Sequence, residues 1–425
     1  MTVAIFVGAL LGAMAIGLPI AFALLVTGIA LMVYLGTFDA QIISQNLFAG
    51  ADSFPLMAVP FFMLAGELMN AGGLSRRIVE AAMAWVGHWR GGLGYVAVIA
   101  SVIMASLSGS AVADTAAIAA LLIPMMRKAN YNVPRAAGLI SAGGVIAPVI
   151  PPSIGLVLYG VSGNVSIRQL FLAGIVPGIL MGLALMTTWW LVARRDSVAV
   201  SEKMGWDTRI KTLVDGFWAF LLPIVIIGGL KMGVFTPTEA AVVAAVYALF
   251  VGLFIYRELK ISDLYHVFLA AAKTTSVVMF LAATAVVSAW LITIANVPAE
   301  VTQLLEPFMD NKILLMFVIM VLVVIIGTAL DFVPTILILT PVLVPVIKTA
   351  GIDPVYFGVL FIMNNAIGLI TPPVGNVLNV AAGVAKVPLG SVIRGVMPFL
   401  VAEILVLFLL VLFPQLVTVP LQYLR

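Results

Sequence analysis

SLSGSAVADTAAIAALLIPMMRKA, running from Ser106 to Ala129, leads to GGVIAPVIPPSIG from Gly143 to Gly155, and the pair is echoed far downstream. The echo is GTALDFVPTILILTPVLVPVIKTA, Gly327 to Ala350, followed by NNAIGLITPPVGN, Asn364 to Asn376. Each copy sets small hydroxyl residues and one aspartate, Asp114 or Asp331, in apolar surroundings and then places a Pro-Pro pair. Matched hydrophobic segments interrupted in this way mark the binding site of a membrane transporter.

The composition agrees. The chain of 425 residues is 63% apolar and 9% charged, with a mean hydropathy of +1.23, whereas soluble domains hold about 25% charged residues. It reads as an all-α polytopic membrane protein. Apolar runs of the ~20 residues that span a bilayer recur from end to end and leave no room for an ordinary soluble domain. Cysteine is absent and only His88 and His266 are histidines, which removes thiolate chemistry, disulfides and His-rich metal centres. The N-terminal run from Thr2 to Gly36 lacks a basic n-region and a cleavage site and reads as one retained span. A net charge of +3 is too small to imply nucleic acid.

Hydropathy gives spans at Thr2–Gly36, Phe54–Met69, Ala136–Tyr159, Leu170–Val192, Leu213–Leu230, Glu239–Tyr256, Ala270–Ala295, Val355–Val384 and Val396–Val419, with half-length pairs around Ser108 and Asp331. Read as hairpins that enter and leave on one face, the half-length pairs sort the basic residues. Arg76, Arg77, Arg90, Arg127, Lys128, Arg135, Arg194, Arg195, Lys203, Arg209, Lys211, Arg257, Lys260, Lys273, Lys386 and Arg394 fall on one side. Arg168, Lys231, Lys312, Lys348 and Arg425 fall on the other. The rich side is cytoplasmic by the positive-inside rule, so the hairpins open from opposite faces and the halves are inverted repeats. This reading puts the N-terminus in the cytoplasm and the C-terminus in the periplasm. One offset relates Pro151-Pro152 to Pro372-Pro373, Gly174 to Gly395 and Pro177 to Pro398, while Asp114 and Asp331 match at a slightly shorter one, as if the second half held a small insertion. The polar stretch Asp196–Thr212 is the joint between halves.

Irregular backbone at membrane depth must be buried in protein or line an aqueous cavity. Ser106, Ser108, Gly109 and Ser110 supply one break, and Gly327, Thr328 and Asp331 the other. Pro148, Pro151, Pro152, Pro372 and Pro373 free further carbonyls, since proline has no N–H to donate. Carbonyls, hydroxyls and a carboxylate together form a hard oxygen cage suited to Na⁺, and the opposed half-helix N-termini suit an anionic substrate. Candidate substrate contacts are Ser108, Ser110, Asp114, Ser153, Asp331 and Asn376. Serine, glycine and proline also serve packing in membranes, but an aspartate within a span costs ~2.5–3.5 kcal/mol, which makes function its default reading. Asn364, Asn365, Asn376 and Asn379 could bridge helices, and Glu67 and Glu239 read as interhelical partners. Trp85, Trp89, Trp189, Trp190 and Trp206, with His88, read as interfacial.

The runs SGSAVADTAA, RAAGLISAGGVIAPVIPPSIGLVLYG, GTALDFVPTILILTPVLVPV and NNAIGLITPPVGNVLNV resemble the large membrane subunit, DctM-like or SiaM-like, of tripartite ATP-independent periplasmic (TRAP) transporters. The resemblance implies an elevator-type fold with two re-entrant hairpins and two broken helices. It also implies Na⁺-driven uptake across the bacterial inner membrane of an organic acid, sialic acid first and C4-dicarboxylates next. A periplasmic binding protein would deliver the acid, and a small four-helix membrane subunit on a separate chain would complete the assembly. Carried over by position, one Na⁺ site comprises Ser106, Ser108, Ser110 and Asp114 facing Gly143, Gly144, Ile146 and Pro148. Its mate comprises Gly327, Thr328 and Asp331 facing Asn365, Ile367, Gly368 and Thr371. On this scheme residues 1–90 are scaffold and first arm, and 91–165 the first half of a transport domain. Residues 166–310 are scaffold, joint and second arm, 311–385 the second half, and 386–425 a scaffold helix. The competing readings are a stand-alone divalent-anion symporter and an intramembrane aspartyl protease using Asp114 and Asp331 as a dyad.

Overall fold

The computed structural model describes residues 2–194, 202–328 and 330–424, so Arg195, Arg425 and the start of the joint, Asp196 to Ser201, lie outside the described residues. Everything regular in it is helical. The first half contains α1 (Thr2–Ala15), α2 (Ile20–Leu35), α3 (Ala40–Ala51), α4 (Ala58–Ala71), α5 (Leu74–Val86), α6 (Gly92–Ser108), α7 (Ala111–Lys128), α8 (Val133–Gly144), α9 (Ile154–Gly163) and α10 (Ile167–Ala193). The second contains α11 (Trp206–Asp215), α12 (Phe217–Met232), α13 (Pro237–Phe250), α14 (Ile261–Ile294), α15 (Val297–Leu305), α16 (Lys312–Gly327), α17 (Phe332–Thr349), α18 (Pro354–Gly368), α19 (Asn376–Ala385), α20 (Leu389–Leu412) and α21 (Gln415–Leu424). Six helices among the described residues are long and apolar enough to cross a membrane, or seven if the bent pair α11–α12 is one span.

The halves match helix by helix at the one offset that relates Pro151 to Pro372. It carries the start of α3 onto that of α14, α7 onto α17 and α8 onto α18. It also pairs residues of left-handed backbone that end helices, Gly36 with Arg257 and Asn130 with Gly351. No insertion separates the halves at the hairpins. The offset therefore pairs Ser110 with Asp331, each the N-cap of its helix, and Asp114 with Thr335. The expected equivalence of the two aspartates is overturned, because identical residue types had been aligned across different cap positions.

A second correction concerns Thr2–Gly36. This stretch is not one span but two side-by-side helices that turn at Gly17, whose φ of 83° favours a residue without Cβ. The Thr2 hydroxyl donates to Glu300 on α15, while α2 lies along α14, with the Ser288 hydroxyl on the Leu24 carbonyl at 3.1 Å. The extra helix gives the first half a counterpart to the α12–α13 pair, followed by α3 and α4 in place of the single 34-residue α14, with α11 and α21 of the second half left unmatched.

Two bodies result. One gathers α1–α4 and α12–α14 around α4 and α14; the other gathers the hairpins and broken helices, α6–α9 and α16–α19, with α10 and α20. The closing helices α10 and α20, assigned to the scaffold from sequence, pack instead on α6, α8 and α18. Small residues bring them close: a Cβ on Gly138 of α8 would stand 2.6 Å from the Val396 nitrogen, and one on Gly395 2.4 Å from the Pro134 carbonyl. Such backbone approach drives helix association where lipid removes the hydrophobic gain. Trp189 belongs to this core too. It is 1% exposed, with its indole N–H on the Gly91 carbonyl at 2.8 Å, so it is no interfacial residue, unlike the exposed Trp85, Trp89, Trp190 and Trp206.

Both half-length pairs close at their bases. The Leu93 N–H donates to the Tyr131 hydroxyl at 3.4 Å in the first, and Lys312 Nζ to the Gly351 carbonyl at 2.7 Å in the second. The broken helices start alike, each with a side-chain cap and a proline: Asn132 accepts from Arg135 N–H at 3.1 Å and Asp353 from Val355 N–H at 2.7 Å. The halves then exchange partners, α7 lying along α19 and α17 along α9.

Candidate functional site

The first tip is built from the end of α6 and the start of α7. Gly109, at φ 61°, turns the chain against the broken helix of its own half, where a Cβ would stand 2.8 Å from the Pro152 carbonyl. Ser110 caps α7 by accepting from Ala113 N–H at 3.4 Å. Its own N–H donates to Ser108 Oγ at 3.1 Å, and Ser108 in turn donates to Asp114 Oδ1 at 2.5 Å. Asp114 is wholly buried in the first turn of α7, and Ser106 spends its hydroxyl on the Ile103 carbonyl at 2.6 Å. Across from the tip, Gly144 gives Thr115 room: a Cβ there would lie 1.9 Å from the Thr115 hydroxyl. Gly143 does the same for Ser101. In the unwinding turn the Gly143 carbonyl accepts from Ile146 N–H and the Gly144 carbonyl from Ala147 N–H, each at 3.1 Å, while the Ile146 carbonyl accepts from both Val149 and Ile150 N–H. Pro148 accepts the Ser153 hydroxyl, and Ser153, fully buried, caps α9.

The second tip is different. Asp331 is exposed, not held in apolar surroundings as expected, and its Oδ1 accepts from Phe332 N–H at 2.8 Å and from Asn376 Nδ2 at 3.0 Å. Its counterpart in burial is Thr335, whose hydroxyl donates to the Asp331 carbonyl at 2.8 Å. Thr328 donates to Ile325 at 2.7 Å and Thr371 to Ile367 at 2.8 Å. Gly327 and Gly368 meet backbone to backbone, a Cβ on Gly368 lying 3.1 Å from the Gly327 carbonyl. Asn364 and Asn365 use their amide N–H groups on Met320 and Phe361.

Four buried oxygens beside these breaks lack a hydrogen-bond partner: Asp114 Oδ2 and Thr115 Oγ1 near the first tip, Asn364 Oδ1 and Asn365 Oδ1 near the second. A buried acceptor left unpaired costs ~1–3 kcal/mol. Acceptors gathered in this way, with a carboxylate at one end, offer coordination to a hard cation. Among the described residues no group of three His, Cys, Asp or Glu gathers to hold a metal.

Both tips open onto one cavity of about 490 Å³. Ser108 to Ala113, Asp331 to Val333, Pro148, Ile154 and Leu369 line it from the hairpin body; Met63, Gly66, Glu67 and Asn70 of α4 and Ala271, Thr274 and Val278 of α14 line it from the other. It runs toward the end of α4, where Arg76 and Arg77 both reach Glu258 Oε1 at 2.6 Å. Of the sequence candidates, Ser108, Ser110, Asp331 and Pro148 line this cavity, while Asp114 stands behind Ser108, Ser153 is enclosed by the broken helix and Asn376 meets the site only through Asp331. Glu67, read from sequence as an interhelical partner, lines it directly. The two aspartates engage different partners, Ser108 and Asn376, and form no dyad with each other.

A membrane protein whose paired hairpins and broken helices converge on one shared cavity has the build of a transport permease. The chain matches the family described as "Tripartite ATP-independent periplasmic transporter, DctM component" over residues 7–416. It therefore belongs to the DctM family and is the large permease component of a bacterial TRAP transporter, a multi-pass membrane protein and not an enzyme. Among its relatives is the 2,3-diketo-L-gulonate TRAP transporter large permease protein YiaN of Escherichia coli K12, 59% identical over the whole of both chains. The sialic acid large permease SiaM of Vibrio cholerae is 38% identical, with 95% of each chain covered. The C4-dicarboxylate large permease DctM of Pseudomonas aeruginosa is 38% identical over 86% of this chain and 85% of its own. A solved structure, the YdaH transporter of Alcanivorax borkumensis, shares the fold with a TM-score of 0.62 at 15% identity, covering 89% and 88% of the two chains.

Proposed function

We propose that this permease imports a hydroxylated or keto sugar acid across the inner membrane, driven by Na⁺, with the hairpin body moving against the α4–α14 body in an elevator cycle. The carrying observation is the pairing of unpartnered oxygens at both breaks with one cavity shared between the two bodies. Na⁺ bound by Asp114, Ser108 and the Gly143–Ile146 carbonyls on one side, and by the Asn364–Thr371 turn on the other, would neutralise those oxygens. The substrate carboxylate then meets bound cations and half-helix N-termini in place of an arginine. The identity to YiaN moves the first choice of substrate to 2,3-diketogulonate and its kin, with sialic acid behind it. The family description, one component of a tripartite periplasmic transporter, supports a small membrane subunit and a periplasmic binding protein as partners.

Proteoliposomes test this. The permease with its small subunit, its binding protein and an inward Na⁺ gradient is expected to accumulate the labelled acid, with the rate falling at least about tenfold on omitting any one component. Robust accumulation by the permease alone would replace this reading with a stand-alone symporter.

Orientation is a separate expectation. With α1 and α2 counted as two crossings, the positive-inside rule places Thr2 with Lys312 and Lys348 on the periplasmic side, opposite the earlier cytoplasmic assignment, and the C-terminus likewise. In this cysteine-free chain, Thr2→Cys and Lys312→Cys should react with an impermeant thiol reagent from outside intact cells, and Arg127→Cys only after lysis. Thr2→Cys labelling alongside Arg127→Cys would reject the added crossing.

A further inference from the structure

The shared cavity carries two carboxylates, Glu67 from α4 and Asp331 from the second tip, and its lining includes no lysine, arginine or histidine. Asp331 is occupied by Asn376 and the α17 backbone. Glu67 is half-buried and, among the described residues, takes part in no hydrogen bond or ion pair. The cavity wall around it is uncharged and largely apolar, Met63 and Gly66 on α4 and Ala271 and Val278 on α14, with two hydrogen-bonding side chains: Asn70 one turn on, which accepts the Ser75 hydroxyl at 2.6 Å, and Thr274 across the cavity on α14. Beyond the end of α4, Arg76 and Arg77 are committed to Glu258, and Lys273, next to Thr274, is exposed and outside the lining.

An anion entering this chamber is therefore held at the tip wall and meets a free carboxylate at the scaffold wall. We propose that Glu67 sets the class of acid the permease accepts. Its carboxylate receives hydrogen bonds from the hydroxyls of a polyhydroxylated monocarboxylate and opposes the second carboxylate of a dicarboxylate. An ionised carboxylate is an acceptor only, with room for several donors, and charge-assisted bonds of this kind are about twice as strong as neutral ones. Like charge in a site shielded from water rejects the wrong ligand as effectively as contacts attract the right one. The inference rests on the transport reading above and assigns its selectivity to a residue of the scaffold rather than of the hairpin tips.

The purified permease with its small subunit, in Na⁺ buffer, is titrated with D-gluconate and with succinate, and apparent affinities are read from thermal stabilisation. The wild-type complex should favour D-gluconate. Glu67→Gln, nearly isosteric on a half-buried side chain, should weaken D-gluconate and tighten succinate, each about tenfold, while the unliganded melting midpoint and its response to Na⁺ stay as in the wild type. Glu67→Asp, which keeps the charge, should still reject succinate. A Glu67→Gln complex that retains the wild-type ratio, or a Glu67→Asp complex that accepts succinate as readily as Glu67→Gln, overturns the assignment. A wild-type complex that neither acid stabilises overturns this inference, and failure of the complete proteoliposome system with its binding protein to accumulate any acid overturns the transport reading separately.

Discussion

Asp114→Asn is expected to lower Na⁺-driven uptake by at least about a hundredfold, or roughly 2.8 kcal/mol, while the protein still inserts and melts as a single species. The asparagine keeps the volume and can keep the Ser108 hydrogen bond, made at 2.5 Å in the native chain. What it removes is the charge of a wholly buried carboxylate whose second oxygen has no partner. If that oxygen serves a coupling cation, the amide cannot replace it, because losing one member of a buried ionic pair costs about 3–5 kcal/mol. Asp331→Asn should do less, since Asp331 is exposed and its Oδ1 already satisfied by an N–H and an amide. Initial rates at matched expression decide it. Asp114→Asn within threefold of wild type would dismiss this residue from ion coupling.

The largest effect on folding is expected at Gly138. A valine there would drive a Cβ to 2.6 Å from Val396 N and 2.7 Å from Gly395 C, both backbone atoms that no rotamer change can clear. Overpacking costs about 1–3 kcal/mol where side chains can adjust, and more where they cannot, so α8 and α20 must separate. Little monodisperse protein should be recovered. Gly228→Ala on α12, where a Cβ meets nothing within 4 Å, is the control and should leave yield and melting midpoint unchanged or slightly improved. Equal yields from the two variants would remove the α8–α20 approach as a determinant of stability.

How much of this was legible beforehand varied with the kind of signal. The two breaks and their prolines announced themselves, since Gly, Ser and Pro in apolar runs are conspicuous, and Ser108, Ser110 and Asp114 come together at one tip through Ser108. The turn at Gly17 was hidden because Ile16 and Leu18 keep hydropathy high across it, although Gly-Leu-Pro was a usable stop signal. The misalignment of Asp331 with Asp114 came from matching residue type. Cap position is the better guide, because the N-cap is fixed by backbone geometry and tolerates either Ser or Asp. Glu67 could not be assigned from sequence at all. Periodicity tells which residues of α4 share a face, not whether that face meets a neighbour or a cavity. The same gap misplaced Trp189, whose indole finds a carbonyl inside the protein where it was expected to sit at the membrane surface.

The short α1–α2 pair has a consequence for ancestry. With it, each half crosses the bilayer an odd number of times on the transport reading, so an unmodified tandem copy of one half must insert upside down relative to the first. No separate event is needed to invert it. A half lacking either helix would cross an even number of times, its duplicate would insert upright, and both tips would face the same compartment. Parity therefore ties the two helices together: loss of one would cancel the inversion, whereas loss of both would preserve it, so the pair is kept or lost as a unit, and what holds it in place is its packing, α2 lying along α14 with Ser288 on the Leu24 carbonyl.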